Sequence, residues 1–221
     1  MFTILFFSVL TILMVLFVWS AYKAHRVDWG PSWFWIVDGT IRLVASGYKK
    51  GHLQKPDLPL HGGGIILSHQ QTWLDPLLLI AATDRPIRFL VPTKMYQKKW
   101  LNKLFVAFGA IEVSSNTDEE VIRAVLTATK AGEVVACFQA GCLGCGETNT
   151  SLRETIVRLV SHQSVLLFPV KVMSSDVDKK VWMPGGASVA CSAPMTCRKQ
   201  PVEELVDRVN QFLSAPVATA L

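Results

Sequence analysis

The chain has 221 residues, half of them hydrophobic, and a formal net charge of +5. That length supports one sizeable core plus an appended anchor, not several domains. The modest positive charge suits an anionic membrane surface, and the sequence holds no basic-aromatic module that would bind RNA or DNA, so no nucleic-acid partner is expected.

Met1 to Tyr22 carries no charged side chain and is dominated by Phe, Leu, Ile, Val and Met. At about 1.5 Å per residue, roughly 20 such residues cross the hydrocarbon layer. Trp19 and Tyr22 stand where an interfacial aromatic belt would fall, and Lys23 and Arg26 follow. That order predicts a single-pass membrane protein with its soluble domain on the cytoplasmic face. A cleaved signal peptide would need a basic start, which is missing, so a retained helix is expected. Trp29 to Val44 is apolar and aromatic but interrupted by Pro31, Asp38 and Arg42, and reads as interfacial.

Gly47 to Gly64 is rich in Lys, Pro, Gly and His and reads as a connector; Gly62-Gly63-Gly64 reads as a flexible turn. Gly64 to Ser68 is a continuous apolar run typical of a buried strand. Thr72, Asp75 and Pro76 then open a helix through Ala82. Ile87–Val91 reads as a strand, Lys94–Phe108 as a helix, and Ala110–Val113 as a strand. Asp118–Ala131 has helical period, with acidic residues in its first turn and Gly132 past its end. Strands follow at Glu133–Phe138 and Val165–Val172, with a helix at Arg153–Ser161 between them. Shorter strands are expected at Val181–Met183 and Ala187–Cys191, and a last helix at Pro201–Leu213. This alternation predicts an α/β layered domain with a mostly parallel central sheet flanked by helices, preceded by an N-terminal transmembrane helix. The expected divisions are an anchor at 1–22, an interfacial and connecting segment at 23–57, the α/β domain at 58–214 and a tail at 215–221.

Ser68-His69-Gln70-Gln71-Thr72-Trp73-Leu74-Asp75-Pro76 resembles the N-H-Q-S-W-L-D-P block of the glycerol-phosphate and lysophospholipid acyltransferases. Three more blocks arise in that family's order, and the likeness runs from about Leu58 to Pro194. Phe108-Gly109-Ala110-Ile111-Glu112-Val113-Ser114-Ser115 resembles G-A-I-x-V-D-R. Phe138-Gln139-Ala140-Gly141-Cys142-Leu143 resembles F-P-E-G-T-R. Val165 to Val170 resembles V-P-V-V-P-V. The resemblance implies acyl transfer from acyl-CoA or acyl-carrier protein to a lysophospholipid, without a bound cofactor or metal.

In the family pattern a His four residues and one more before the Asp is the general base, because an imidazole pKa lies near working pH. Asp75 fills the Asp slot, but Gln70 fills the His slot, and an amide cannot take up a proton at neutral pH. His69 lies one residue early. Neighbouring strand residues face opposite sides, so only a local bulge brings it into place. Ser115 stands where the family's phosphate-gripping Arg would be, offering one donor without charge. Ala140 and Leu143 stand in the Glu and Arg slots, while Phe138 and Gly141 are kept. Lys94 falls near the acceptor side, where family members often carry a Lys. With Lys98, Lys99 and Lys103 it forms a basic patch that reads equally as a solvated helix face or a headgroup contact.

Two principal readings follow. One is a family member that has lost, or nearly lost, the reaction and binds lysophospholipid or an acyl chain or acts through a protein partner; the other is an active enzyme using a displaced His69 with Asp75. A third concerns the five cysteines, whose odd number fits reduced cytosolic thiols better than a disulfide framework. Cys137, Cys142 and Cys145 have a spacing seen in iron–sulfur ligation, with Cys191 or Cys197 as the fourth ligand. Core packing of Cys137 is the simpler account, because it lies in an apolar run.

Overall fold

The structure is a computed structural model, and it describes residues 2–47, 54–69, 75–113, 118–138, 165–174, 187–196 and 202–214. Helix α1 is Phe2–Ala24 and α2 is Trp35–Gly47. Strand β1 (Gly64–His69) leads towards α3 (Asp75–Ala82), then β2 (Ile87–Pro92), α4 (Thr93–Tyr96) and α5 (Lys99–Ala107). Next come β3 (Ile111–Val113), α6 (Asp118–Lys130) and β4 (Val134–Phe138), followed by β5 (Leu166–Ser174), β6 (Ala187–Cys191), β7 (Met195–Thr196) and α7 (Val202–Ser214). The expected helix at Arg153–Ser161 and strand at Val181–Met183 lie outside the described residues.

The sheet runs in the order β3-β2-β4-β1-β5-β6, with β7 also paired to β5. Strands β1 to β5 are mutually parallel, and β6 and β7 add antiparallel pairing along β5. Pro169 of β5 has no N–H to offer a neighbour. Opposite it the antiparallel ladder is interrupted between Cys191 and Met195, with Ser192 N donating to the Pro169 carbonyl at 3.0 Å.

Alternation along the strands divides the core in two. Ile66, Phe89, Val134, Ala136, Phe168 and Val170 pack on the side of α2, α3 and α5. Ile65, Leu67, Leu90, Val135, Cys137 and Leu167 pack against Val121 and Val125 of α6 and Leu205 and Val209 of α7. The result is a three-layered α/β/α arrangement, as the sequence predicts.

Helix ends follow their glycines. Gly132 closes α6 at φ +84°, with its N–H donating to the Thr129 carbonyl and that of Glu133 to the Ala128 carbonyl. Gly109 closes α5 in the same way at φ +59°, through Val106 and Phe105. Both are Schellman closures, which need the left-handed backbone that glycine takes most readily.

Three findings depart from the sequence reading. The single helix expected over Lys94–Phe108 is two, because Lys98 is extended (ψ 114°) and starts α5 afresh. Asn102 Nδ2 satisfies the Tyr96 carbonyl at the break, at 3.0 Å. The triple glycine is not merely a turn. Gly62 has φ +96°, a Cβ on Gly63 would lie 2.0 Å from the Thr129 carbonyl oxygen, and one on Gly64 would meet the Phe168 ring at 2.8 Å. The stretch after α1 is also more firmly seated than its interrupted composition indicates. Phe34 is fully buried, and its ring meets Phe108 edge-on at 4.6 Å, as Trp29 does at 5.0 Å. Phe89 continues this aromatic chain to Phe138 of β4, stacked at 6.0 Å.

Candidate active site

Because β1 to β5 are parallel, their carboxyl ends share one edge of the sheet, where open α/β sheets place their ligands. Three of the four resembling blocks reach that edge. His69 is the last residue of β1, in register with Lys171 of β5. Asp75 opens α3 and is fully buried. Its position in the first turn sets a carboxylate against the positive end of the helix dipole. Lys94 lies just past the end of β2, on α4, and is exposed. Thr93 Oγ1 donates to the Val113 carbonyl at 3.2 Å, tying the ends of β2 and β3 together. The topology therefore brings His69, Asp75 and Lys94 to one edge. Gln70, Ser115, Ala140, Gly141 and Leu143 follow these strand ends in sequence but lie outside the described residues.

Two aromatic members of the blocks have structural work. Phe108 and Phe138 both belong to the aromatic chain that joins the segment after α1 to the sheet. Sequence reasoning also passed over Lys171, which is 7% exposed beside the end of β1. A lone Lys inside the apolar run from Val165 to Val172 was its only signal.

The two described cysteines, Cys137 and Cys191, are free thiols. Cys137 is 1% exposed within β4, and burial pushes its thiol up to about 12. Burial likewise raises Cys191 to about 11, and its thiol lies 3.5 Å from the Gln54 carbonyl oxygen. Such thiols carry little thiolate near neutral pH. Among the described residues no group of three or more His, Cys, Asp or Glu side chains is placed to hold a metal; Cys142, Cys145 and Cys197 lie outside them.

A second constellation lies at the other end of α3. Asp38 of α2 is fully buried and accepts from three donors, with a histidine beside it. Arg42 Nε and the Arg26 backbone N–H reach Oδ2 at 3.0 Å each, and Trp29 Nε1 reaches Oδ1 at 3.2 Å. His25 Nδ1 lies 3.3 Å from Oδ2. Burial works against ionisation, but the hydrogen bonds from Arg42, Arg26 and Trp29, with the Arg42 charge, outweigh it and hold the carboxyl below its usual range. Arg42 then donates to the carbonyls of Ala81 and Thr83, at 3.1 and 2.9 Å. One ion pair thus joins the exit of α1, the body of α2 and the end of α3. Its sequence signal was a charged pair four residues apart inside an apolar stretch.

This α/β/α architecture gathers the carboxyl ends of β1, β3 and β4, where three of the resembling blocks meet the sheet, at one edge. The sequence profile described as Acyltransferase matches residues 52–173, over half of the chain, and the protein belongs to that family. Among solved structures it is similar to the 1-acyl-sn-glycerophosphate (LPA) acyltransferase PlsC from Thermotoga maritima. The TM-score is 0.55 at 12% identity, over 80% of this chain and 78% of that one, a likeness of fold. No curated protein matches the sequence.

Helix α1 is long and apolar enough to cross a membrane, with a mean hydropathy of 2.5 over its best window within Thr3–Ala24 and little of that window buried. Ile4, Phe6, Phe7 and Leu13 are all more than half exposed along it.

Proposed function

We propose that this protein is a membrane-anchored acyltransferase-family member in which acyl transfer is lost or strongly reduced, while lysophospholipid or acyl-chain binding is kept. The observation that carries this reading is the residue at position 70. Asp75 is buried at the start of α3, where it would orient a general base, but the His slot of the block holds Gln70. Without a general base the rate falls on the order of 10²–10⁴. Ser115, Ala140 and Leu143 remove charge and hydrogen-bonding capacity from the acceptor slots as well. Any residual turnover would use acyl-CoA or acyl-carrier protein as co-substrate and no metal. Helix α1 is the single span, with the domain on the cytoplasmic face.

A second reading keeps the enzyme active through His69 and Asp75. It is favoured by their shared place at the carboxyl edge, one closing β1 and the other opening α3. Acyl transfer from acyl-CoA to a panel of lysophospholipids separates the two, with wild type compared to His69→Ala. Background turnover unaffected by His69→Ala is the expected result. Robust wild-type turnover abolished by that substitution establishes the second reading instead. Gln70→His need not restore activity, because the other slots stay unrepaired.

A further inference from the structure

A cleft of about 310 Å³ lies between the end of α1, the second half of α2 and the end of α3. Lys23, Arg26, Arg42 and Lys55 line it, together with apolar walls from Leu43, Ala81 and Ala82. We propose that this cleft holds the phosphate-bearing headgroup of one anionic phospholipid from the surrounding bilayer. The proposal rests on the reading of α1 as a membrane span and is separate from acyl transfer.

Charge is the first argument. Asp38 offsets Arg42 at 3.0 Å, and Asp84 takes Lys55 at 2.7 Å and Arg26 at 3.9 Å. Four cations thus face two carboxylates, leaving a surplus of two positive charges for an anion. Arg26 reaches Asp84 only loosely, and its side chain is 57% exposed. Its guanidinium is the group best placed to fork onto phosphate oxygens.

Position is the second argument. The candidate span of α1 ends at Ala24, and Lys23 and Ala24 themselves line the cleft. The Lys23 ammonium sits 3.8 Å above the Trp19 ring, and Trp19 is exposed. Indole rings prefer the headgroup level of a bilayer. The cleft therefore opens at the depth where headgroup phosphates lie, and basic pockets at that depth are suited to them.

Rigidity is the third. Arg42 is fixed by Asp38 and by two α3 carbonyls, so the back wall is formed before any ligand arrives. The cleft is also distinct from the candidate active site. It touches α3 at Ala81 and Ala82, whereas Asp75 opens the same helix about 10 Å away along its axis.

The test uses the full chain in a mild neutral detergent. Its thermal unfolding is followed while short-chain phosphatidylglycerol, short-chain phosphatidylcholine or glycerol 3-phosphate is added. The expected result is a saturable rise in Tm with phosphatidylglycerol that the other two do not reproduce. Lys23→Gln with Arg26→Gln should weaken that binding about fivefold per charge removed, roughly 25-fold for the pair. Lys130→Gln, on exposed α6 surface, should leave it unchanged. Both changed residues in the first variant are exposed, and its Tm without lipid reports directly on its folding. Equal stabilisation by phosphatidylcholine, or wild-type affinity in the double variant, overturns the proposal. An equal response to glycerol 3-phosphate shows a free-anion site and overturns the lipid assignment. Retention in membranes after alkaline washing tests the span independently, and acyl-transfer assays on the same preparation test the catalytic reading.

Discussion

Replacing Asp38 with Asn probes the junction between α1 and the α/β domain at its centre. The carboxylate is fully buried and accepts from Arg42, Arg26 and Trp29. An amide can accept on one side only, so its NH₂ would face an N–H donor it cannot satisfy. Arg42 would lose its counter-charge while only 7% exposed. Removing one partner of a buried ion pair costs about 3–5 kcal/mol. Arg42 keeps its bonds to the Ala81 and Thr83 carbonyls, which places the expected loss nearer the lower end, about 3 kcal/mol. The pH dependence has a definite sign. The folded pKa of Asp38 lies below its ordinary 3.8, so its ionised form adds stability above that pH, and this is lost as pH falls through the folded value. The gap between wild type and Asp38→Asn should therefore be widest near neutrality and narrow below about pH 4. Urea or thermal unfolding of the detergent-solubilised full chain, repeated across pH, measures both. Asp38→Leu combined with Arg42→Met should be less destabilised than either single change, because an apolar pair leaves no buried charge. A loss under about 0.5 kcal/mol for Asp38→Asn, within the range of ordinary surface changes, would refute the reasoning.

Gly39→Ala sets two effects against each other. Alanine favours a helix over glycine by about 1 kcal/mol. A Cβ at Gly39, however, would sit 2.0 Å from the Ala21 carbonyl oxygen, so α1 and α2 must separate. Overpacking typically costs about 1–3 kcal/mol and meets rigid backbone here, so a net loss is expected, seen as a lower Tm and faster proteolysis between α1 and α2. Gly63→Ala should destabilise for the same reason, since its Cβ would lie 2.0 Å from the Thr129 carbonyl oxygen; a Tm equal to wild type would contradict the packing. Cys137 should resist maleimide at pH 8 in the native protein and react once unfolded, because burial lifts its thiol to about 12. Peptide-resolved mass spectrometry reads this, and rapid native labelling would overturn the placement.

The sheet was readable because apolar runs such as Ile65–Leu67 and Val134–Phe138 are bounded by glycine or polar turns, and buried parallel strands need such runs. Gly132 marked the end of α6 for an equally local reason. The split between α4 and α5 was hidden, since Tyr96 to Leu101 keeps helical composition and the break depends on the Asn102 side chain. The roles of Asp38 and Arg42 were hidden for a different reason. They interrupt an apolar pattern, and interruption alone does not distinguish a buried pair from an interfacial helix. Gly63 reads as a turn because its actual constraint is the α6 carbonyl, 66 residues later in the chain. The apolar helix α1, the sheet and the order of the motif blocks are thus local properties of the sequence. The docking of one element on another is not.

On the reading proposed above, the family fold persists while its chemistry is lost, and packing and proton transfer differ in how they allow this. Packing is redundant: Ile66, Phe89, Val134 and Phe168 share one core, and volume-conserving exchanges among such residues typically cost under about 1.5 kcal/mol. Proton transfer has no such redundancy, because a single side chain must titrate near working pH. The positions on which the proposed reading rests follow β1, β3 and β4 in sequence: Gln70 is one residue after His69, Ser115 two after Val113, and Ala140 and Leu143 two and five after Phe138. The glycine closures at Gly109 and Gly132, the Phe34–Phe108 contact and the Asp38–Arg42 pair stand away from the carboxyl edge. On the proposed reading, a change at His69 bears little on stability, and a change in the frame bears little on chemistry. Acyl-transfer and unfolding measurements on the same variants should accordingly fall into two groups. Changes at His69 should leave Tm close to wild type, and changes at Asp38 or Gly39 should lower Tm.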